Sequence, residues 1–140
     1  MKLGFVSAIL GELSFEEVVD FAAENGLECI EMCCWPKGKA ERRYAGVCHI
    51  DVDTLDDAKA SYIKDYLAKS NVKISSLAYY PNTLEEDLEK RKVYVEHLNK
   101  LIDASSKLEV NMITTFVGRI PSKTVEENLE IVKEVWPPIV

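Results

Sequence analysis

One pattern recurs four times along this chain and restricts its fold more than any other: a short apolar run, a turn, then apolar residues at helical spacing. Leu3–Val6 is the first run, followed by a loop of small residues from Ser7 to Gly11. Ser14-Phe15-Glu16-Glu17 then forms a capping box, in which Ser14 accepts from a free backbone N–H and Glu17 reaches back. Phe15, Val18, Val19 and Ala22 follow the i, i+3, i+4, i+7 rule of one buried helix face, and Asn25-Gly26 stops the helix.

The second unit has a strand over Leu27–Met32, a long loop from Cys33 to Asp53, and a stripe of Leu55, Ala58, Tyr62, Ile63, Tyr66 and Leu67 ending near Ser70-Asn71. The third pairs a strand over Val72–Tyr79 with a long helix whose face carries Leu84, Leu88, Val95, Leu98 and Ile102. In the fourth, Leu108–Val117 holds a strand. Thr124-Val125-Glu126-Glu127 is a second capping box, opening a helix through Val125, Leu129, Val132 and Val135.

Alternation at this spacing implies parallel strands joined by right-handed crossovers, with helices covering the sheet. Two architectures fit: a small doubly wound sheet, or part of a (β/α)8 barrel. A doubly wound nucleotide binder usually carries a glycine-rich turn after its first strand. Here that turn reads Ser7-Ala8-Ile9-Leu10-Gly11-Glu12, with no G-x-G-x-x-G. A complete (β/α)8 barrel takes about 250 residues, so the 140 residues here amount to four consecutive strand–helix units, a half barrel. The end, Trp136-Pro137-Pro138-Ile139-Val140, is apolar and uncapped, and reads as a chain cut within its fold. The expectation is therefore an α/β fold in which residues 1–140 form the N-terminal half of a single barrel domain.

Composition narrows the function. The net charge of −7 argues against binding nucleic acid by phosphate neutralisation and against an anionic membrane surface. No apolar stretch approaches the ~20 residues of a membrane span, and the N-terminus lacks a secretory signal, so the expected location is cytoplasmic.

In either architecture, function collects at the C-terminal ends of the strands. After the second strand stand Glu31, Trp35 and, further along the loop, His49; after the third, Tyr79, Tyr80 and Asn82; after the fourth, Arg119 behind Gly118. Polar groups rimmed by aromatic ones suit a polyhydroxylated small molecule. Glu31 is either a pocket-facing carboxylate accepting from a hydroxyl or a structural partner for a nearby cation. His49 is a substrate contact or acid/base, or else a histidine stapling its loop to backbone, the commoner role. Trp35, Tyr79 and Tyr80 offer flat faces to a sugar, or pack under their own loops. Asn82 has donors and acceptors for hydroxyls, and Arg119 clamps a carboxylate or phosphate unless an acidic neighbour takes it.

Cys29, Cys33, Cys34 and Cys48 contain no C-x-x-C pair, which disfavours structural zinc, and buried reduced thiols are the default. The acidic stretches 53–57 and 85–92 lie at helix starts, where carboxylates complement the helix dipole. No G-x-S-x-G elbow or H-E-x-x-H motif occurs.

The segments LSFEEVVDFAAENGLECIEMCCWP, RRYAGVCHIDVD, ISSLAYYPN, TTFVGR and NLEIVKEVWPPIV touch all four units. Together they resemble the sugar-phosphate isomerase/epimerase family with the xylose-isomerase-like TIM barrel, over its N-terminal half. That resemblance implies a divalent cation (manganese, magnesium, cobalt or zinc) held by Glu, Asp, His and Glu on later strands. Proton transfer then runs through an enediolate. The first of those ligands would fall beyond Val140, so the resemblance implies no metal ligand in this chain and an inactive half on its own. It carries over Glu31, Trp35, His49, Tyr80, Asn82 and Arg119 as substrate-side contacts. Related apurinic endonucleases place histidines after the third and fourth strands. Tyr79-Tyr80 and Phe116 stand there instead, against a DNA-repair site. The expected partner is a sugar or sugar phosphate, with self-association through open sheet edges. A keto-inositol dehydratase of the same fold and a non-catalytic ligand-binding module are the alternatives.

Overall fold

The computed structural model describes residues 1–38 and 44–140, so Arg42 and Arg43 of the resembling segment lie outside the described residues. Four strands, β1 (Gly4–Val6), β2 (Cys29–Cys33), β3 (Lys73–Ala78) and β4 (Ile113–Thr114), alternate with four helices. The helices are α1 (Phe15–Glu24), α2 (Asp57–Ser70), α3 (Leu88–Leu108) and α4 (Val125–Val135). Every neighbouring strand pair is parallel and the order is β1-β2-β3-β4. A doubly wound sheet reverses its strand order at a switch point. Sequential order is that of a barrel wall, so these units are half a (β/α)8 barrel with an open sheet.

Local chemistry sets the helix ends. Ser14 and Glu17 bond reciprocally at the start of α1, as do Thr124 and Glu127 at the start of α4. Gly26 takes φ +68° just after α1, and Asn71 and Glu109 adopt left-handed conformations closing α2 and α3. Ser7–Leu10, expected as loop, winds into a 3-10 turn that brings Ser7 inward.

The core lies between the helices and one face of the sheet. Phe15, Val18, Val19 and Ala22 are all buried, as their spacing requires, and pack with Ile30, Met32, Leu77 and Tyr79. Three other stripes shift. On α2 the buried residues are Ala60, Ile63 and Leu67, whereas Ala58 and Tyr62 face out. The Tyr62 and Tyr66 hydroxyls reach back to Glu16 and Asp20 on α1, so these rings bridge two helices at their wet edge.

Leu84 is buried but precedes α3, and Leu88 is 67% exposed; the packed face is His97, Leu98, Leu101, Ala104 and Leu108. The 21 residues of α3 run ~31 Å, against ~20 Å for β3, so its first turns overhang the sheet. On α4, Val125 and Leu129 are exposed because no element among the described residues covers that face. The apolar end folds back instead: Ile139 is buried, and the Trp136 indole N–H donates to Thr83 Oγ1 at 3.1 Å.

Candidate functional site

Strand pairing decides which side chains face inward. Val6 is registered beside Glu31, and Glu31 beside Ser76. Registered neighbours of a parallel sheet share a face, and residues two apart along a strand do too. Cys29, Glu31 and Cys33 therefore line the concave side of the wall, while Ile30, Met32 and Cys34 belong to the core beneath the helices. By the same alternation Ser76, Ala78 and Tyr80 face inward and Leu77 and Tyr79 do not.

Above this inner row lies a cavity of about 380 Å³ walled by Val6, Ile9, Cys33, Trp35, Tyr80 and Phe116, with Ala8, Tyr44 and Ala45 completing its lip. The Tyr80 and Phe116 rings meet at 4.8 Å. Trp35 stands edge-on against Tyr79 at 4.9 Å.

Glu31 is half-buried, and its partners are hydroxyls rather than a cation. Tyr80 donates to Oε1, and Ser76 Oγ donates to Oε2 at 3.1 Å. Burial, and then the bond to Glu31, push the Tyr80 phenol up to about 12, so it remains a proton donor at neutral pH. The result is a carboxylate acceptor and a phenol donor side by side at an apolar, aromatic wall. With the phenol proton committed to Glu31, the pair can accept from sugar hydroxyls at the lone pairs left on the carboxylate and on the Tyr80 oxygen.

The other expected contacts lie elsewhere. His49 is buried, with Nδ1 2.9 Å from Ser7 Oγ and Nε2 3.2 Å from the Leu10 carbonyl. The carbonyl only accepts, so Nε2 carries the proton and Nδ1 accepts from Ser7, whose own oxygen accepts from the Cys33 N–H at 2.8 Å. Burial lowers the His49 pKa and keeps the ring neutral. This histidine staples the β1 loop to the end of β2.

Asn82 and Arg119 are brought together, but by backbone. Asn82 Nδ2 donates to the Arg119 carbonyl at 2.9 Å, and Oδ1 accepts from the N–H groups of Arg119 at 2.9 Å and Leu84 at 3.3 Å. The Asn82 amide is thus a strut between the loops after β3 and β4, leaving the Arg119 side chain exposed on the rim. Of the six expected contacts, Glu31 and Tyr80 are bonded to each other, Trp35 and Tyr80 wall the cavity, and Glu31, His49, Asn82 and Arg119 do not line it.

Sequence reasoning missed Ser76, Ser7 and Phe116. For Ser76 the signal was available in the small and polar alternation Ser76-x-Ala78-x-Tyr80. Thr83 and Asn128, buried polar residues, also escaped notice; Asn128 bonds the backbone of Ile120, Lys123 and Thr124 and shapes the turn into α4. Among the described residues no three His, Cys, Asp or Glu side chains are placed to share a metal ion. Glu31 and His49 are engaged as above. The described residues do not fit a metal centre.

The profile of one family, xylose isomerase-like TIM barrel, matches residues 19–140. No curated protein matches the sequence. Solved structures do. The probable 3-DHS dehydratase AsbF of Bacillus anthracis aligns at TM-score 0.64 and 22% identity, covering 96% of this chain and 46% of that one. D-psicose 3-epimerase of Clostridium cellulolyticum H10 aligns at TM-score 0.64 and 18% identity, covering 96% and 47%. A sugar phosphate isomerase/epimerase of Parabacteroides distasonis ATCC 8503 aligns at TM-score 0.59 and 19% identity, covering 96% and 44%. The chain spans about half the length of these structures, and at these identities the likeness is one of fold.

Proposed function

Because the chain belongs to the xylose isomerase-like TIM barrel family, we propose that it is the N-terminal, substrate-contacting half of an isomerase or epimerase acting on a ketose, inositol-like sugar or sugar phosphate. The observation that carries this reading is the Glu31–Tyr80–Ser76 cluster on the inner face, below an aromatic cavity at the strand ends. An apolar wall receives the C–H face of a sugar while the carboxylate and phenol meet its hydroxyls. Arg119, exposed on the rim, is the residue to meet a phosphate.

The reaction proposed is proton transfer through an enediolate. The divalent ion the family resemblance implies is assigned to residues outside this chain. The 140-residue chain alone is then expected to bind a sugar without turning it over. Its open sheet edges at β1 and β4 favour self-association. A cytoplasmic setting fits the four free cysteines. Among the described residues no helix is long and apolar enough to cross a membrane. A dehydratase of the same fold is the second reading, supported by the likeness to the Bacillus anthracis protein.

Isothermal titration with D-tagatose and with fructose 6-phosphate tests the proposal. Glu31→Gln and Tyr80→Phe should each weaken binding by about tenfold, the loss of one hydrogen bond to a charged or buried partner. Arg119→Ala should weaken only the phosphorylated probe. Unchanged affinity in both Glu31→Gln and Tyr80→Phe, or no binding to the wild-type chain, would overturn it.

A further inference from the structure

The long loop after β2 returns to the strand end and pairs with it through a single antiparallel bridge between Cys34 and Cys48. Two backbone hydrogen bonds flank that bridge: the Trp35 N–H donates to the Val47 carbonyl at 3.2 Å, and the His49 N–H to the Cys33 carbonyl at 3.0 Å. Bonds made by the residues on either side, and none between Cys34 and Cys48 themselves, define a non-hydrogen-bonded antiparallel pair. In that arrangement the Cα atoms stand about 4.5 Å apart with side chains on one face, inside the ~4.4–6.8 Å range a disulfide spans.

We propose that Cys34 and Cys48 are an oxidation site: a thiol pair that closes into a cross-strand disulfide when met by a small-molecule disulfide such as oxidised glutathione. The pair is held in place from both sides. The Cys34 carbonyl accepts from His97 Nε2 at 2.8 Å, and Cys48 is followed directly by the stapled His49. Selectivity follows from strand geometry. Cys33 and Cys29 sit on the opposite, inner face of β2, and Cys34 is fully buried, so Cys48, half-buried, meets the oxidant first.

The Cys48 thiolate attacks the disulfide oxidant, breaking its S–S bond and releasing one glutathione. Cys34 then loses its proton and attacks the Cys48 sulfur of the mixed disulfide, releasing the second glutathione. Two protein thiols are oxidised, one small disulfide is reduced, and both protons end on the glutathione thiols. Burial raises both protein thiols, Cys48 to about 11 with help from Asp51. Closure is consequently slow at neutral pH and quickens with alkalinity. Once made, the bond fastens residues 44–48 to the end of β2 and fixes the cavity lip that Tyr44 and Ala45 form.

The test uses the whole chain incubated with oxidised glutathione. The expected product has lost about two mass units and two of its four thiols, and its proteolytic map joins Cys34 to Cys48. Its formation rate rises about tenfold per pH unit between pH 7 and 9. Cys48→Ser abolishes the product; Cys29→Ser and Cys33→Ser do not. Amide exchange at residues 44–48 slows in the oxidised form. A persistent glutathione adduct, a bridge through Cys29 or Cys33, or four unreacted thiols would overturn the proposal. So would unchanged exchange at the lip, for the part that concerns the cavity.

Discussion

Replacing Gly118 with alanine imposes two separable costs, and the structure allows each to be sized. Gly118 has φ +80°, and a Cβ built there meets Asn82 Oδ1 at 1.9 Å and Asn82 Cα at 3.0 Å. Holding alanine in left-handed backbone costs about 1–2 kcal/mol. The clash also evicts the Asn82 amide, which exchanges two hydrogen bonds with the Arg119 backbone and accepts a third from Leu84. At about 0.5–1 kcal/mol each near the surface, loss of the three adds roughly 1.5–3 kcal/mol. Gly118→Ala should therefore destabilise by about 2.5–5 kcal/mol and Asn82→Ala by roughly 1.5–3 kcal/mol. Once the Asn82 amide is removed, alanine at 118 suffers the backbone penalty and the 3.0 Å approach to the Cα of residue 82 but evicts no hydrogen bond. The double variant should fall short of additivity by about 1.5–3 kcal/mol, the cost of the hydrogen bonds both changes remove. Urea unfolding followed by far-ultraviolet circular dichroism measures all four corners of the cycle. A Gly118→Ala change within about 0.5 kcal/mol of wild type, or strict additivity, would refute the strut assignment for Asn82.

Further perturbations probe the staples and the inner cluster. Burial sets His49 below its ordinary 6.5, so the unfolded chain takes up the proton first; stability should be complete above pH 6.5 and decline below it. His49→Gln should flatten that decline in urea midpoints taken at pH 5 and pH 7.5, and an unchanged slope would contradict it. Tyr80 moves the other way. Its phenol, raised from 10 to about 12 in the folded chain, contributes stability present below pH 10 and lost between pH 10 and 12. Tyr80→Phe should make alkaline destabilisation over that range shallower, and a slope identical to wild type would count against the Glu31 bond. Thr83→Val leaves the Trp136 indole N–H and the Val117 carbonyl without their partner and should cost about 2–3 kcal/mol. Thermal unfolding with a tryptophan fluorescence shift reads it out.

Features fixed by neighbours in the chain were legible from residues alone. The Ser14–Glu17 and Thr124–Glu127 boxes and the stops at Gly26 and Asn71 involve residues three or fewer apart, and each is present. The alternation of strand and helix follows from the same local periodicities, whereas the choice of half barrel over doubly wound sheet rests on the strand order. Features fixed across the sheet were not legible. The register shift between Ile30 and Glu31 leaves Ser75 as an extra residue on β3, so counting from Ile74 puts Ser76 on the wrong face; its pairing with Glu31 gives the right one. Asn82 displays donors and acceptors that suit a hydroxyl, but its partner lies 37 residues away on another loop. Leu84 and Leu88 have helical spacing, yet Asp87 caps the helix between them and places one before it. Ser7 looked like loop filler, although its hydroxyl joins His49 to the Cys33 backbone.

In the proposed function, the inner row of an open, barrel-type wall holds the sugar. Chemical-shift mapping of the isotopically labelled chain during titration with D-tagatose addresses it most directly. Saturable shifts are expected at Glu31, Ser76, Tyr80 and Phe116, with the outward residues Ile30, Met32 and Leu77 following weakly and α2 silent. Shifts concentrated on the helical exterior, or absent along the inner row at saturating sugar, would contradict it.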